Sequence, residues 1–155
     1  MRIAKALIVA LVAFTLLGEH AMSADGLITT RSNFGPEETM KRFEAEVRAK
    51  GMTVFAHIDH AAGAAAAGMP LRPTDLLIFG GAKSGTPLMQ SVQTIGIDLP
   101  LKALVWQDDA GTTFLSYNDP RYLTNRHEPG DFAKPVVEAM SGALEELAVK
   151  ATSVP

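Results

Sequence analysis

Two apolar runs separated by a short polar turn constrain the fold of this chain more than any other feature. Residues 103–107 and 112–117 are aliphatic and aromatic in character, and Asp108 to Gly111 lie between them. A turn of this composition typically joins two antiparallel strands into a hairpin. We therefore expect the chain to be built on an antiparallel sheet.

The other elements predict how this sheet is covered. Their order is strand, helix, strand, three further strands with one helix inserted among them, and a final helix. This order predicts an α+β fold, a mostly antiparallel sheet of about five strands with helices packed on one face. The predicted strands outside the hairpin are residues 27–31, 52–59 and 75–79, and the predicted helices are residues 36–50, 86–96, 119–126 and 136–150.

Four details of this prediction can be checked separately. Helices 36–50 and 136–150 should share one face of the sheet, since each has a single apolar stripe. The helix after residue 85 should begin with Thr86 as its cap and Pro87 as its first residue. Residues 61–68 fit either one short helical turn or a flexible loop. In the second strand we expect strict alternation, with Met52, Val54, Ala56 and Ile58 on one face and Phe55, His57 and Asp59 on the other.

The first 24 residues are typical of a secretion signal. Arg2 and Lys5 precede an uncharged, mostly apolar run over residues 6–18, and small residues follow at 21–24. This run is shorter than the about 20 residues that a membrane-spanning helix requires. We expect residues 1–24 to be removed and residues 25–155 to form a single soluble domain, periplasmic or secreted, with no stable membrane anchor. An uncleaved anchor or a buried N-terminal helix is the alternative.

Composition excludes several classes of protein. The chain has no cysteine, which rules out disulfides, thiolate metal sites and a cysteine nucleophile. Its net charge is -3 and both signs are interspersed, so nucleic-acid binding is not expected. The Ser, His and Asp residues show no nucleophile-elbow pattern. His57, Asp59 and His60 could ligate a metal ion, but no fourth ligand lies nearby, and we expect no structural zinc.

Six segments together resemble one protein family. They are I-D-H-A-A-G-A-A at 58–65, L-R-P-T-D-L-L-I-F-G at 71–80, G-T-P-L-M-Q at 85–90, G-I-D-L-P-L-K-A-L-V-W at 96–106, L-S-Y-N-D-P at 115–120 and R-H at 126–127. In their order and spacing they resemble the domain-of-unknown-function family 302, from residue 27 to about residue 147. The resemblance implies a TATA-binding-protein-like α+β fold, often dimeric, with no established activity. At Gly81-Ala82 the family usually has Asn-Pro, which leaves the shape of this loop open.

Four polar or aromatic side chains in the family-like segments are the candidate ligand-binding residues. We expect His60, Lys102 and His127 to lie around one cleft that Trp106 helps to wall, because burying such groups is unfavourable unless they are paired. The alternative is that each has a separate structural role. Lys102 would then extend from its strand to solvent, and His127 would stabilise the C-terminus of a short helix.

The glycine-rich loop at residues 80–86 is a second candidate. It follows a strand and opens a helix, where backbone N–H groups can hold an anion. It is not a phosphate-binding P-loop, because Thr86 occupies the position of the required lysine. Turn formation and helix capping explain the same residues without a ligand.

Three functions remain open from the sequence. The first is a binding module for a small anionic ligand or a metal, which we favour because no assembled acid–base pair can be recognised. The second is an enzyme with His60 or His127 as general acid or base. The third is a homodimeric or partner-binding interaction module. The sequence identifies no cofactor.

Overall fold

Five antiparallel strands form one sheet in the computed structural model, which describes residues 26–154. Their order across the sheet is β1-β5-β4-β3-β2, and β4 and β5 form the predicted hairpin. The predicted α+β fold with an antiparallel sheet is therefore confirmed. The predicted signal peptide, residues 1–24, lies outside the described residues and stays a prediction. The strands are β1 (Leu27–Arg31), β2 (Thr53–Asp59), β3 (Thr74–Gly80), β4 (Leu101–Gln107) and β5 (Thr113–Asn118).

The main core lies between the sheet and two long helices. Phe43 and Val47 of α1 and Leu144 and Leu147 of α5 are buried in one cluster with Phe79 and its neighbours on the sheet. Burying a side chain of this size stabilises the fold by about 1.5–3 kcal/mol. The two helices thus share one sheet face, as predicted. The helices are α1 (Pro36–Ala49), α2 (His60–Ala66), α3 (Ala82–Ser91), α4 (Pro120–His127) and α5 (Ala133–Thr152), with a 3-10 turn at Gln93–Ile97.

A second, smaller core holds the other helices against α5. Leu88 of α3, Ile95 of the 3-10 turn and Leu123 of α4 pack against Val137 and Met140. Leu101, at the start of β4, contacts both cores. Helices α3 and α4 are therefore positioned through α5 and the start of β4.

The turn of the hairpin is held by Asp108. Its Oδ1 accepts hydrogen bonds from the backbone N–H groups of Ala110, at 3.0 Å, and Thr112, at 2.7 Å. Gly111 has a φ of +79°, a conformation that residues with a Cβ rarely adopt. These two residues explain why the sequence identified the hairpin.

Strand β2 departs from the predicted alternation. Val54 pairs with Phe79, whereas Ala56 pairs with Ile78, the next residue along β3. Phe55 is therefore an extra residue, and its side chain is 58% exposed. Because residues opposite each other point to one face, Val54 lies on the helix-covered face with Phe79, while Ala56 and Ile58 lie on the opposite face. The expectation that these three share one face was wrong.

Helix α3 begins earlier than predicted. Its first residue is Ala82, with Gly81 in an extended conformation at the cap position, so Thr86 does not cap the helix. Pro87 lies inside the helix, where it lacks the N–H that would bond to the Lys83 carbonyl. The helix ends at Ser91, before a separate 3-10 turn. The preference of proline for a first helical position predicted the wrong start, because Pro87 is the sixth residue of this helix.

Tyr117 is expected to make the protein lose stability in alkali. Burial and, to a smaller extent, the negative charges of Glu145 and Asp119 together raise the pKa of Tyr117 to about 12. An unfolded chain releases this proton at the ordinary pKa of about 10. The stability that the protonated phenol provides is therefore complete below pH 10 and is lost as the pH rises from about 10 to about 12. Urea unfolding across this range should show a shallower decline in Tyr117→Phe, and an unchanged decline would contradict the assignment.

Candidate functional site

An apolar cavity lies beside the start of α3. Its volume is about 250 Å³, and five large apolar side chains, from Phe55, Met89, Leu99, Leu101 and Met140, line it. Polar groups contribute only a minor part of its wall. We call it the α3 cavity. Its remaining lining residues are Gly80, Gly81, Ala82, Ser84, Gly85, Thr86 and Pro100.

The absence of a side chain at Gly85 keeps this cavity open. A Cβ at Gly85 would lie 3.6 Å from Leu99 Cδ1 and 3.8 Å from Met89 Cε, so a larger side chain would extend among the lining residues. Phe55 reaches the cavity because the bulge in β2 takes it out of the regular alternation. The cavity thus depends on the glycine-rich segment and on the bulge.

The glycine-rich segment forms the first turn of α3. Gly81, at the cap position, provides no side-chain acceptor, and the Ser84 hydroxyl donates to the Gly81 carbonyl at 3.1 Å. Within the described part of the chain, the N–H groups of Ala82 and Lys83 thus have no capping side chain. An anionic group at this end of the cavity would be favoured by these donors and by the helix dipole.

Lys102 and Trp106 lie on the sheet face opposite the main core and line a shallow concavity of about 330 Å³. Lys102 Nζ donates to the backbone carbonyls of Asp98, at 3.1 Å, and Pro100, at 2.9 Å. Trp106 Nε1 donates to Ser116 Oγ at 2.9 Å. Trp106 lies four positions after Lys102 along β4, which places their Cα atoms about 13 Å apart.

His127 is held by a hydrogen bond to Asp98 at the end of α4. Its Nε2 lies 2.6 Å from Asp98 Oδ2, and its side chain is only 8% exposed. Arg126 Nη1 contacts the other oxygen of Asp98 at 3.0 Å. We call these three residues the Asp98 clasp. It joins the end of α4 to the residue after the 3-10 turn.

His60 is the first residue of α2 and is exposed. Asp59 caps this helix by accepting a hydrogen bond from the Ala62 N–H at 2.7 Å. Neither His60 nor His127 lines the concavity that contains Lys102 and Trp106. The structure therefore brings two of the four candidates to one surface, and a common site for all four stays a prediction.

Asp75 is a site residue that the sequence reasoning missed. It lies in a groove of about 740 Å³ between α1 and the β2 edge of the sheet, and His57 Nε2 is 3.5 Å from its Oδ1. We call this the α1 groove. Asp75 has the same strand parity as buried Leu77 and Phe79, so an acidic residue on the core face of a strand was a signal available in the sequence.

Two general observations bear on the class of site. Across residues 26–154, no group of three His, Asp or Glu side chains is close enough to hold a metal ion. The expected lack of structural zinc stays a prediction for elemental analysis. None of the described helices is both long and apolar enough to cross a bilayer.

Two curated proteins contain a segment that is similar to this chain. "Fluoride-specific ion channel FluC 1" of Brucella suis biovar 1 is 45% identical over 115 residues, which cover 74% of this chain and 45% of that protein. The protein of the same name from Brucella abortus biovar 1 is also 45% identical over 115 residues, and the match covers 43% of it. The chain thus spans less than half the length of the curated relatives it matches.

A solved structure and a family model agree on the fold and the family. The crystal structure of an uncharacterised conserved DUF302 protein from Bacillus stearothermophilus superposes with a TM-score of 0.74 at 19% identity, covering 83% of this chain and 99% of that one. At this identity the likeness shows the fold alone. The sequence model of the domain of unknown function DUF302 matches residues 28–147. Because this match spans most of the chain, the protein belongs to the DUF302 family.

Proposed function

We propose that this protein is a binding module for a small, largely apolar ligand that carries a negative charge. The α3 cavity is the observation that supports this function. Small-molecule sites are typically concave and mostly apolar, with a few polar groups that orient the ligand. The cavity has this composition, with five large apolar side chains and the first turn of α3 around it.

The expected negative charge on the ligand is supported by the start of α3. The backbone donors of Ala82 and Lys83 have no capping side chain, and Lys83 adds a positive charge to the same turn. A carboxylate could accept hydrogen bonds from these donors while its hydrocarbon part lies in the cavity. The proposed ligand is therefore an amphipathic anion.

The enzyme alternative has weaker support. His127 is nearly buried and its Nε2 already contacts Asp98, so it is poorly placed to reach a substrate. Among the hydrogen bonds described for residues 26–154, none joins the His60 side chain to a carboxylate or hydroxyl. A general base needs such a partner to be oriented, and the structure provides better support for binding than for catalysis.

Calorimetric titration with short carboxylates tests the proposal. Each buried methylene contributes about 0.8 kcal/mol, so hexanoate should bind about tenfold more tightly than butanoate. Hexanol, which lacks the charge, should bind more weakly than hexanoate. Equal affinity for butanoate and hexanoate would exclude the apolar cavity as the site.

Two glycine variants locate this binding. Gly85→Leu should abolish hexanoate binding, because the new side chain would occupy space among the lining residues. Gly142→Leu is the matched control, since Gly142 also lies in a helix but a Cβ there meets no atom within 4 Å. Hexanoate binding that survives in folded Gly85→Leu would place the ligand elsewhere.

A second candidate function follows from the match to two proteins named as fluoride-specific ion channels. We propose that the domain acts as an accessory module beside such a channel, since the Brucella relatives contain it in the same chain. Fluoride efflux from vesicles would be measured for a Brucella suis protein that lacks the matched segment. Restored or altered efflux on addition of the present protein would support this role, and unchanged efflux would contradict it.

A further inference from the structure

The side chain of Asp75 lines the α1 groove and is 23% exposed. Its Oδ1 is buried and has no hydrogen-bond partner among the described residues. His57 Nε2, at 3.5 Å, is within ion-pair distance but too far for a hydrogen bond. A buried acceptor without a donor is unfavourable, because it has lost its bonds to water and gained none. The groove therefore lacks a donor at this point.

The distance between Asp75 and His57 fits one shared donor atom. Asp75 Oδ1 and His57 Nε2 are 3.5 Å apart. A single nitrogen atom can therefore lie about 2.9 Å from each of them, which is an ordinary hydrogen-bond length. A primary ammonium group carries three N–H donors and can bond to both atoms at once. Neutral His57 would accept one bond and the Asp75 carboxylate the other.

The rest of the α1 groove suits an aliphatic amine. Met40, Ala45 and Pro73 provide apolar surface for a hydrocarbon stem. Arg48, the cation on the last turn of α1, is held by Glu44 through two hydrogen bonds of 2.9 and 2.6 Å, so its charge is already neutralised. Glu37 and Lys41 also line the groove, which thus contains three carboxylates and two cations.

We propose that the α1 groove binds a primary alkylammonium ion, with its N–H groups donating to Asp75 Oδ1 and His57 Nε2. This site is separate from the α3 cavity and does not depend on the function proposed for it. The two sites take ligands of opposite charge.

A titration of the wild-type protein with two cations tests the donor requirement. Amide chemical shifts of the ¹⁵N-labelled protein would be followed at mildly alkaline pH with butylammonium and with butyltrimethylammonium, which has the same charge and chain but no N–H. Butylammonium should give saturable shifts at α1 and β3 with a millimolar dissociation constant, and butyltrimethylammonium should bind at least about tenfold more weakly. Equal shifts with both, or none with butylammonium, would overturn the proposal.

Substitution of Asp75 provides the second arm. Asp75→Asn keeps the shape of the side chain and removes its charge, and butylammonium binding should weaken at least about tenfold. Asp109→Asn, in the exposed hairpin turn, is the matched control and should bind as the wild type does. Hexanoate binding should be unchanged in both variants. If Asp75→Asn does not fold, the comparison of the two cations on the wild-type protein still decides the question, whereas unchanged butylammonium binding in folded Asp75→Asn would refute the site.

Discussion

His127→Ala is expected to lower the free energy of unfolding by about 2–3 kcal/mol, because it leaves Asp98 without its closest partner. The Asp98 side chain is only 16% exposed, and its Oδ2 lies 2.6 Å from His127 Nε2. Asp98→Ala should destabilise the protein to a similar extent. In the double variant the losses should not add, since both substitutions remove the same interaction. Urea unfolding of the four proteins gives this coupling energy.

Arg126→Ala provides the control for this cycle. The Arg126 side chain is 48% exposed and contacts the other oxygen of Asp98. An exposed ion pair contributes little, so this variant should lose at most about 1 kcal/mol. His127→Ala could instead leave stability unchanged and abolish hexanoate binding. That result would show that the Asp98 clasp does not stabilise the fold, and it would support the ligand-binding role expected for His127 from the sequence.

The sequence predicted the sheet because its signals are local. Asp108 and Gly111 determine the hairpin within four residues, and the predicted strand at 27–31 coincides with β1. The bulge at Phe55 could not be predicted in this way. It depends on how β2 pairs with β3, and a single extra residue reverses the faces of every later side chain in the strand.

The sheet register places two of the predicted site residues, Lys102 and Trp106, toward opposite ends of β4, and a common site for all four stays a prediction. Trp106 pairs with Thr74, at the end of the sheet where His60 follows β2, whereas Lys102 pairs with Ile78 at the opposite end, beside Asp98 and His127. Family-like segments indicated which residues were unusual, but not which of them are neighbours. The glycine-rich wall of the α3 cavity was a candidate from the sequence, but its apolar wall was missed, since Phe55, Leu99 and Met140 are brought together only by tertiary packing.

Met140→Ala is expected to destabilise the protein by about 2–3 kcal/mol and to enlarge the α3 cavity. Met140 is 7% exposed, packs in the smaller core and lines the cavity. A buried Met→Ala substitution costs about 2–5 kcal/mol, and the low end applies because part of this side chain already faces empty space. The lost side-chain atoms leave room for about two more methylenes of a ligand. The preference for octanoate over hexanoate should therefore rise by up to about tenfold relative to the wild type.

Val137→Ala separates the change in the cavity from the loss of stability. Val137 lies in the same helix and the same core cluster and is 2% exposed, but it does not line the α3 cavity. Val137→Ala should also destabilise the protein, because it removes buried side-chain atoms, but it should not change the preference for the chain length of the carboxylate. Thermal unfolding with each carboxylate measures both effects. If both variants change the preference for octanoate over hexanoate equally, the carboxylates respond to a general loosening of the core. If neither variant changes it, the ligand does not contact Met140.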